Sequence, residues 1–503
     1  MTLASPEHAA EARAALAAGQ PSLVWRKVVA DTQTPVGAAL KLIEPERGDF
    51  LLESVEGGAV RGRYSLLGLD PDLVFRAEND QARINTAWGT DREAFANAGA
   101  TPLAALRSLV EDCRIDVPDG LPPIACVVGY FGYETIGLVE NLPRAAGAGL
   151  GLPDMLFVRP TLILVFDNLG EELFAIAPLW PGQSDPDRAV DAAGERIDEA
   201  LRRLAGPVPA APAAADLPDM IPHSSTSGED FADMVGRAKE YIEAGDVFQV
   251  VLSQRFSCPF PLPPLALYRA LRRVNPSPFL YFLDLPGFAV VGSSPEILVR
   301  VRGGEITIRP IAGTRPRGAT FEADRAAEAS LLADAKERAE HLMLLDLGRN
   351  DVGRVAARGS VKVTDSFSIE RYSHVMHIVS NVVGRLEAKH DALDALFAGF
   401  PAGTVSGAPK IRACEIIAEL EADARGPYAG GVGYFAPDGT LDSCIVLRTG
   451  VVKNGVLHVQ AGAGIVADSD AVYEQRECEA KAGALFAAAR EAARVAMEPG
   501  FGQ

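Results

Sequence analysis

The sequence predicts an α+β fold in which a largely antiparallel sheet is interrupted by long helices. Asp438-Gly439 and Asn454-Gly455 each lie between β-branched or aromatic runs, which is the strongest short-range sign of a β-hairpin. Helical patterns cover roughly residues 322–345, 408–421 and 470–495. Strands and helices do not alternate regularly, so the pattern is not that of consecutive βαβ units.

Further elements follow from local signals in the second half of the chain. Ser227 and Asp230 form a capping pair at the start of a helix, and Gly245 marks its end. Pro286-Gly287 and Gly303-Gly304 separate pairs of strand-like runs, which predicts two more hairpins.

One shift in composition divides the chain. Residues 206–222, GPVPAAPAAADLPDMIP, are rich in Pro and Ala and lack a core pattern, which is typical of a linker or a surface crossover. They separate an N-terminal region, 1–205, from a C-terminal region, 223–503. Each region has the size of a domain, and we expect both to share one composite fold.

Composition excludes several classes of partner. The 503 residues contain 48 Lys and Arg against 67 Asp and Glu, a net charge of −19, which argues against nucleic acid and against an anionic membrane surface. The N-terminus lacks a signal-peptide pattern, no apolar run could span a bilayer, and the six cysteines form no CxxC pair. We therefore expect a cytoplasmic protein. A small anionic ligand is compatible with this charge where a cation, Arg, Lys or backbone N–H groups reverse it locally.

Two predicted helices each carry carboxylates three residues apart, and therefore on one face. They are Glu337 with Glu340, and Glu474 with Glu477, with Lys481 one turn beyond. Two such faces that met could hold Mg²⁺, which prefers oxygen ligands. Spacing alone favours the alternative, a solvated acidic face with an ordinary Glu477–Lys481 surface pair.

Other segments also admit two interpretations. Residues 400–410, FPAGTVSGAPK, place Thr404 ahead of a helix, either as an anion site or as a turn with a cap. Arg448 near the end of a β run could clamp a carboxylate or pair with a surface acid. His377 lies among apolar residues, where a packed histidine is the commoner outcome. The glycine-rich run from Gly462 mimics a dinucleotide fingerprint but follows a hairpin, which argues against that site.

Taken together and in this order, ten segments resemble the chorismate-utilising enzymes, and they span nearly the whole chain. The segments are LLESVEGG with RGRYS (51–65), AGDVFQVVLSQRF (244–256), NPSPFLYF (275–282), GSSPEILVRV (292–301), PIAGTRPRG (310–318), EHLMLLDLGRNDVGRV (340–355), RYSHVMHIVSNVVG (371–384), FPAGTVSGAPK (400–410), RGPYAGGVGYF (425–435) and VQAGAGIVADSD (459–470). The set is specific enough to outweigh the alternative interpretations of the single motifs.

The resemblance implies a fold of two antiparallel β-sheets packed as a sandwich and flanked by helices. It also implies that chorismate plus ammonia yields anthranilate and pyruvate, the first committed step of tryptophan biosynthesis, with Mg²⁺ required. Glu340 and Glu477 match the metal ligands of the family, and Glu337 and Glu474 lie beside them.

The remaining site residues also follow from the resemblance. Glu296 matches the acid that protonates the departing ring hydroxyl, which predicts a poorly solvated pocket and a raised pKa. His377 matches the histidine that assists loss of the enolpyruvyl group, and Thr404 would lie against the ring. The residues expected to bind substrate are Tyr428, Arg448, Gly462, Gly464 and Lys481.

Two positions discriminate within the family. Relatives that make aminodeoxychorismate carry a nucleophilic lysine where this sequence has Ala312. Relatives that add water carry a lysine base where this sequence has Gln249, whereas ammonia is a nucleophile that needs no base. Both absences favour addition of ammonia followed by loss of pyruvate over the rival aminodeoxychorismate synthase.

The resemblance implies two further partners. No cysteine lies in a glycine-flanked nucleophile elbow, so a separate glutamine amidotransferase subunit is expected to supply ammonia, in a heterotetramer. Feedback inhibition by L-tryptophan is expected at a site formed by Glu53, Ser54, Arg63, Asn275, Pro276, Ser277, Pro278 and Phe279. The alternatives are a sheet edge without a ligand, and a non-catalytic tryptophan-binding regulator, which the retained catalytic residue types disfavour.

Overall fold

A computed structural model of the chain describes residues 6–56, 60–147, 149–182, 185–209, 217–372 and 375–498. Residues 210–216, the middle of the predicted linker, lie outside the described residues. The described parts form two large antiparallel sheets that share one long pair of strands, and Val55–Glu56 and Val60–Arg61 form a separate two-stranded sheet.

The strands are numbered in chain order. They are β1 (Ser22–Val29), β2 (Asp49–Glu53), β3 (Val55–Glu56), β4 (Val60–Arg61), β5 (Tyr64–Glu78), β6 (Gln81–Asn85), β7 (Ala96–Asn97), β8 (Val127–Phe131), β9 (Met155–Asp167), β10 (Glu172–Leu179), β11 (His223–Ser224), β12 (Gln249–Pro259), β13 (Phe279–Leu285), β14 (Phe288–Ser294), β15 (Ile297–Arg302), β16 (Glu305–Ile308), β17 (Ile311–Pro316), β18 (Lys362–Arg371), β19 (Val375–Arg385), β20 (Gly407–Ala408), β21 (Gly431–Phe435), β22 (Leu441–Ile445), β23 (Thr449–Lys453) and β24 (Val456–Ile465).

The helices are numbered in the same way. They are α1 (Pro6–Ala17), α2 (Pro35–Leu42), α3 (Pro102–Asp112), α4 (Pro186–Ala205), α5 (Gly228–Glu243), α6 (Pro264–Val274), α7 (Phe321–Ala333), α8 (Ala335–Gly353), α9 (Ala392–Gly399), α10 (Lys410–Leu420) and α11 (Ala471–Met497). Two short 3₁₀ turns cover Tyr133–Leu138 and Gly403–Val405.

β5 and β9 belong to both sheets. They pair from Tyr64 opposite Asp167 to Ala77 opposite Met155, and the register shifts between Pro71 and Leu73. Proline has no N–H to donate to a ladder, so it is found at such irregularities. Beyond the irregularity the two ends of the pair have different neighbours, which divides the structure into two sheets.

The two sheets take their strands from both halves of the chain. The first runs β1-β10-β9-β5-β2-β13-β14-β23-β24-β12-β11, and the second runs β7-β6-β5-β9-β8-β21-β22-β15-β16-β19-β18. All these pairings are antiparallel. β2 pairs with β13, and β8 pairs with β21, so each sheet joins a block of strands from 1–205 to a block of strands from 223–503 at a single pairing.

The sheets face each other across an apolar core, with helices outside. The rings of Tyr130 on β8 and Phe288 on β14 meet edge to face with centroids 6.0 Å apart, joining the two sheets. Helices α6 and α11 pack on β14 and β24 of the first sheet, and α8 and α9 pack on β19 and β15 of the second. The predicted fold, a sandwich of antiparallel sheets flanked by helices, is confirmed.

Most local predictions are confirmed and one needs correction. Ser227 accepts a hydrogen bond from the Asp230 N–H at 3.1 Å, and Asn454 and Gly455 both have positive φ, as a tight hairpin requires. The single helix predicted over 322–345 is wrong, because Asp334 ends α7 and caps α8. Its carboxylate accepts from the N–H groups of Lys336 and Glu337, and this capping starts a new helix.

No helix within the described ranges is long and apolar enough to cross a membrane. All six cysteines are free and buried.

A pair of acidic residues lies buried where β2 meets β13. Asp49 and Asp284 are register partners. The Asp49 carboxylate accepts from Arg47 and from the N–H groups of Glu44 and Asp70. Among the described residues Asp284 has no cationic partner. Burial together with the nearby negative charges of Asp49 and Glu46 raises its pKa to about 7, against one opposing backbone hydrogen bond.

Replacing Asp284 by asparagine should therefore stabilise the protein in a pH-dependent way. The raised pKa means that folding is penalised once the unfolded carboxyl ionises near pH 4, and the penalty grows until about pH 7. Relative to wild type, D284N should gain nothing below pH 4 and roughly 2–4 kcal/mol above pH 7. Urea unfolding at several pH values measures this. D119N, at an exposed carboxylate, is the control, and equal pH dependence of D284N and wild type would contradict the prediction.

Candidate active site

Glu296 lies buried between β14 and β15. Its carboxyl group accepts a hydrogen bond from the Thr404 hydroxyl at 3.2 Å. Burial raises the pKa of Glu296 to about 8, although the Thr404 hydrogen bond and the charge of Arg448 both oppose the shift. Glu296 is therefore protonated at neutral pH and can donate a proton.

The imidazole ring of His377 on β19 is held by hydrogen bonds at one of its two nitrogens. Its Nδ1 lies 3.0 Å from the Gly313 carbonyl and 3.1 Å from the Thr314 hydroxyl. A carbonyl only accepts, so Nδ1 carries the hydrogen and Nε2 is left with a free lone pair. Burial lowers the pKa of His377, and the charge of Arg448 lowers it further, while the Gly313 carbonyl opposes them. The ring is therefore neutral and can accept a proton.

Arg448 follows β22 in a left-handed conformation with φ of 48°. Within the part of the chain that the structure describes, its mostly buried guanidinium has no hydrogen-bond or ion-pair partner. Burial lowers the pKa of Arg448, whereas Tyr372 and Glu296 raise it. A buried cation without an anion is costly, so this group is poised for an anionic ligand.

The predicted glycines lie on β24 opposite β12. A Cβ at Gly462 would come within 2.8 Å of the Tyr428 hydroxyl, and a Cβ at Gly464 would overlap the side-chain amide of Gln249. Lys481 donates to the Gly462 carbonyl at 2.9 Å. Only glycine leaves room at these two positions, so the structure brings Tyr428, Gly462, Gly464 and Lys481 together around one stretch of backbone.

The two acidic helix faces meet. Burial raises the pKa of Glu340 on α8, and the negative charges of Glu337 and of Glu477 on α11 raise it further. Glu337 also pairs with Arg315 at 2.9 Å, and Glu477 pairs with Lys481 at 2.7 Å. Glu474 is largely buried on α11, where burial and the charge of Glu477 raise its pKa.

These carboxylates supply oxygen donors without forming a complete metal-binding cluster. No group of three or more His, Cys, Asp or Glu side chains among the described residues is arranged to hold an ion. Glu340 and Glu477 nevertheless bring like charges close together, which a cation would relieve. Mg²⁺ is commonly held by one or two carboxylates, with waters and an anionic substrate completing its shell, so these residues fit it.

Gly313 connects the two ends of the site. Its carbonyl accepts from His377, and a Cβ on Gly313 would lie 3.1 Å from the Glu337 carboxylate. The acidic helices therefore adjoin the His377 side of the pocket, while Lys481 connects them to Gly462 on the other side.

A cavity of about 770 Å³ lies between the two sheets. Five of the eight residues predicted for a tryptophan site line it, namely Glu53, Ser54, Arg63, Pro278 and Phe279. Asn275, Pro276 and Ser277 do not line it. Asn275 ends α6, and its carbonyl accepts from Ser293 on β14.

The cavity residues are held in place by their neighbours. Glu53 accepts from Tyr268 at 2.6 Å and from Arg272 at 2.9 Å. A Cβ at Gly62 would overlap the hydroxyl of Ser54, so glycine is needed there for the two segments to pass each other. Arg63 pairs with Asp167 at 2.9 Å.

The cavity and the pocket share a wall that the sequence did not reveal. Tyr372 lines the cavity, donates its hydroxyl to Glu370 at 2.9 Å, and packs its ring against that of His377 with centroids 5.6 Å apart. Pro295 and Ile297, on either side of Glu296, also line the cavity. The only signal in the sequence was that Tyr372 falls inside the RYSHVMH segment.

Arg425 is a second residue that no sequence signal singled out; it is buried and pairs with Glu421 at 2.6 Å. Their i,i+4 spacing and the RGPYAGGVGYF segment were the available signals.

Comparison with known proteins identifies the class. Residues 50–487 match the family model described as chorismate binding enzyme, and the chain belongs to this family. Within the family, the chain is similar to component 1 of anthranilate synthases. It is 52% identical to that of Cereibacter sphaeroides, with 96% of this chain and 98% of the relative covered. It is 47% identical to that of Thermus thermophilus, with 92% and 97% covered.

Solved structures agree with these relatives. Anthranilate synthase component I of Streptococcus pneumoniae superposes with a TM-score of 0.75 at 36% identity, over 92% of this chain and 99% of that one. The menaquinone-specific isochorismate synthase of Escherichia coli superposes with a TM-score of 0.69 at 18% identity, over 93% of this chain and 95% of that one. At that identity, the second match supports the fold alone.

Proposed function

We propose that this chain is the chorismate-binding component of an anthranilate synthase, which converts chorismate and ammonia to anthranilate and pyruvate in the first committed step of tryptophan biosynthesis. One observation carries the proposal. The buried Glu296 keeps its proton, His377 is neutral, and both lie close enough to Arg448 to feel its charge, while all three residues match the family's motifs.

The roles of the side chains follow from their protonation states. Glu296 donates its proton to the departing ring hydroxyl, which leaves as water while ammonia forms the new carbon–nitrogen bond. His377 then accepts the ring proton through Nε2, and the ring becomes aromatic as the carbon–oxygen bond to the enolpyruvyl group breaks. The released enolpyruvate takes up a proton and becomes pyruvate. Thr404 holds the Glu296 carboxyl in position.

Substrate orientation requires groups that bind two carboxylates. Arg448 and the hydroxyl of Tyr428 would bind the pyruvyl carboxylate, and the N–H groups of Gly462 and Gly464 would contact the substrate. Glu340 and Glu477 would hold Mg²⁺, with Glu337 and Glu474 beside them, and Lys481 adds positive charge. When bound, Mg²⁺ would supply Lewis-acid polarisation of the ring carboxylate and charge neutralisation.

Two residues support ammonia over other nucleophiles. Ala312 offers no lysine for a covalent intermediate, and Gln249 is no base for water. The ammonia would come from a glutamine amidotransferase subunit, component II of the enzyme, in a heterotetramer.

The activity is directly testable. Purified chain with chorismate, Mg²⁺ and an ammonium salt should form fluorescent anthranilate, and E296Q should reduce the rate about 10²–10⁴-fold, the usual contribution of a general acid. Glutamine should not replace ammonium when the chain is alone. Formation of isochorismate or aminodeoxychorismate instead would contradict the reaction, and glutamine-dependent activity of the lone chain would contradict the separate partner.

The metal proposal makes its own prediction. E340Q and E477Q each remove a carboxylate charge, so the Mg²⁺ concentration for half-maximal rate should rise at least about 10-fold. E479Q, at an exposed position of the same helix α11, is the matched control and should leave that concentration unchanged. Wild-type Mg²⁺ dependence in both E340Q and E477Q would show that the ligands are misassigned.

Feedback inhibition is proposed at the cavity between the sheets. L-Tryptophan would bind there, with its amino group near Glu53 and Ser54, and would act by favouring a state with lower affinity for chorismate or slower turnover. The wall formed by Tyr372 supports this, because it contacts both the cavity and His377.

Calorimetry and inhibition together test this site. Wild type should release or absorb heat with L-tryptophan and should be inhibited by it. S54F, which fills the cavity, should lose both effects. Y372L, which removes the ring that contacts His377, should still bind L-tryptophan and should be inhibited less at saturation. Neither heat nor inhibition of the wild type at millimolar L-tryptophan would refute the proposal.

A further inference from the structure

Arg425 lies buried at the junction of three segments that face the pocket. Its Nε and Nη2 donate to the Glu421 carboxylate at 2.8 and 2.6 Å. Its Nη1 donates to the Val405 carbonyl at 2.8 Å, and its Nη2 also donates to the Val251 carbonyl at 2.7 Å. One guanidinium thus binds a carboxylate and two backbone carbonyls from different parts of the chain.

Each of the two carbonyl acceptors adjoins a site residue. Val405 follows Thr404, whose hydroxyl binds Glu296. Val251 on β12 is the register partner of Gly464 on β24.

The guanidinium also contacts the rings of two tyrosines. Its carbon lies 5.5 Å from the ring centre of Tyr428 and 4.6 Å from that of Tyr133. Arg425 therefore contacts Tyr428 directly, and it reaches Thr404 and Gly464 through neighbouring backbone.

Only arginine can make this set of contacts. The planar guanidinium offers five N–H donors in a rigid fork, whereas lysine offers one flexible point charge. Burial alone would lower the pKa of Arg425, but the charge of Glu421 raises it above the ordinary value, so the fork stays protonated. Glu421 is itself held by the N–H and hydroxyl of Ser253, at 2.7 and 2.9 Å.

We propose that Arg425, held by Glu421, is a positioning residue for the chorismate reaction. It holds Thr404, Tyr428 and the Gly462–Gly464 backbone in one arrangement without itself facing substrate. This inference rests on the proposed function, because it assigns a task to that same pocket.

A buried ion pair could instead serve stability alone, and a pH profile separates the two roles. The Thr404 hydroxyl, the charge of Arg448 and a backbone hydrogen bond at Ile311 each stabilise the ionised form of Glu296. If Arg425 holds the 403–405 turn, losing it weakens the Thr404 bond and raises the pKa of Glu296. Because Glu296 acts while protonated, the loss of activity at high pH then moves to higher pH. A purely structural change would not move it.

The experiment compares R425K, T404V and the double variant. R425K should lower kcat about 10²-fold, the usual consequence of misplacing a catalytic group by about 1 Å. It should also shift the high-pH limb of the kcat profile, where activity is lost, to higher pH. T404V should move the limb in the same direction, and R425K/T404V should move it no further than T404V alone. Infrared titration of the carboxyl groups, with E296Q as the blank, follows Glu296 without turnover.

Two further variants keep the test decisive. K410M is the control for the loss of a buried ion pair, because it removes the pair between Lys410 on α10 and Asp351. It should lower the unfolding temperature without shifting the high-pH limb of the kcat profile. R425M/E421Q leaves no unpaired buried charge, so it should fold even where R425K does not. It should show the same slow, shifted profile.

The outcomes separate this inference from the function itself. Wild type that makes no anthranilate from chorismate and ammonium would overturn the proposed function. Active wild type, with R425K or R425M/E421Q retaining the wild-type kcat and limb per folded molecule, would overturn the positioning role alone.

Discussion

The pairing of β5 with β9 is the interaction on which the rest of the structure depends. Each strand contributes hydrogen bonds to both sheets, so the two sheets cannot separate without breaking this ladder. The register shift near Pro71 divides this continuous pair of strands, so that one end belongs to the first sheet and the other end to the second. The same pair brings β2, with Glu53 at its end, beside β13, and the cavity forms where the sheets diverge.

Removal of water is what gives the pocket its chemistry. A carboxyl, an imidazole and a guanidinium would all be charged or exchanging protons near neutral pH if they were exposed. Burial shifts each pKa toward the neutral form, so Glu296 keeps its proton and His377 stays neutral. Arg448 has no ion-pair partner among the described residues, so it leaves a local positive charge in a chain with a net charge of −19.

The pocket and the cavity are connected through side chains that pack against both. Tyr372 touches His377 on one side and lines the cavity on the other, and Pro295 and Ile297 place Glu296 against the same wall. A ligand that moved this wall would act on an acid and a base at once. Arg425 supports the opposite side of the pocket, where the 403–405 turn and β12 meet. Both proposals therefore concern how the surroundings hold a few reactive side chains.

Local sequence determined the elements and the residue types. Hairpins at Asn454-Gly455 and Asp438-Gly439 and the cap at Ser227 were predictable because turn and cap geometry depends on a few neighbouring residues. The family motifs named Glu296 and His377 as acid and base and excluded a lysine at position 312. The break at Asp334 was missed because a helical pattern continues through it.

Only the tertiary structure decided how these residues are placed and charged. The meeting of Glu340 with Glu477, the wall at Tyr372 and the contacts of Arg425 join segments far apart in the chain. No spacing rule predicts such contacts. Burial, and with it the pKa of Glu296, is set by everything packed around a group rather than by its neighbours in sequence.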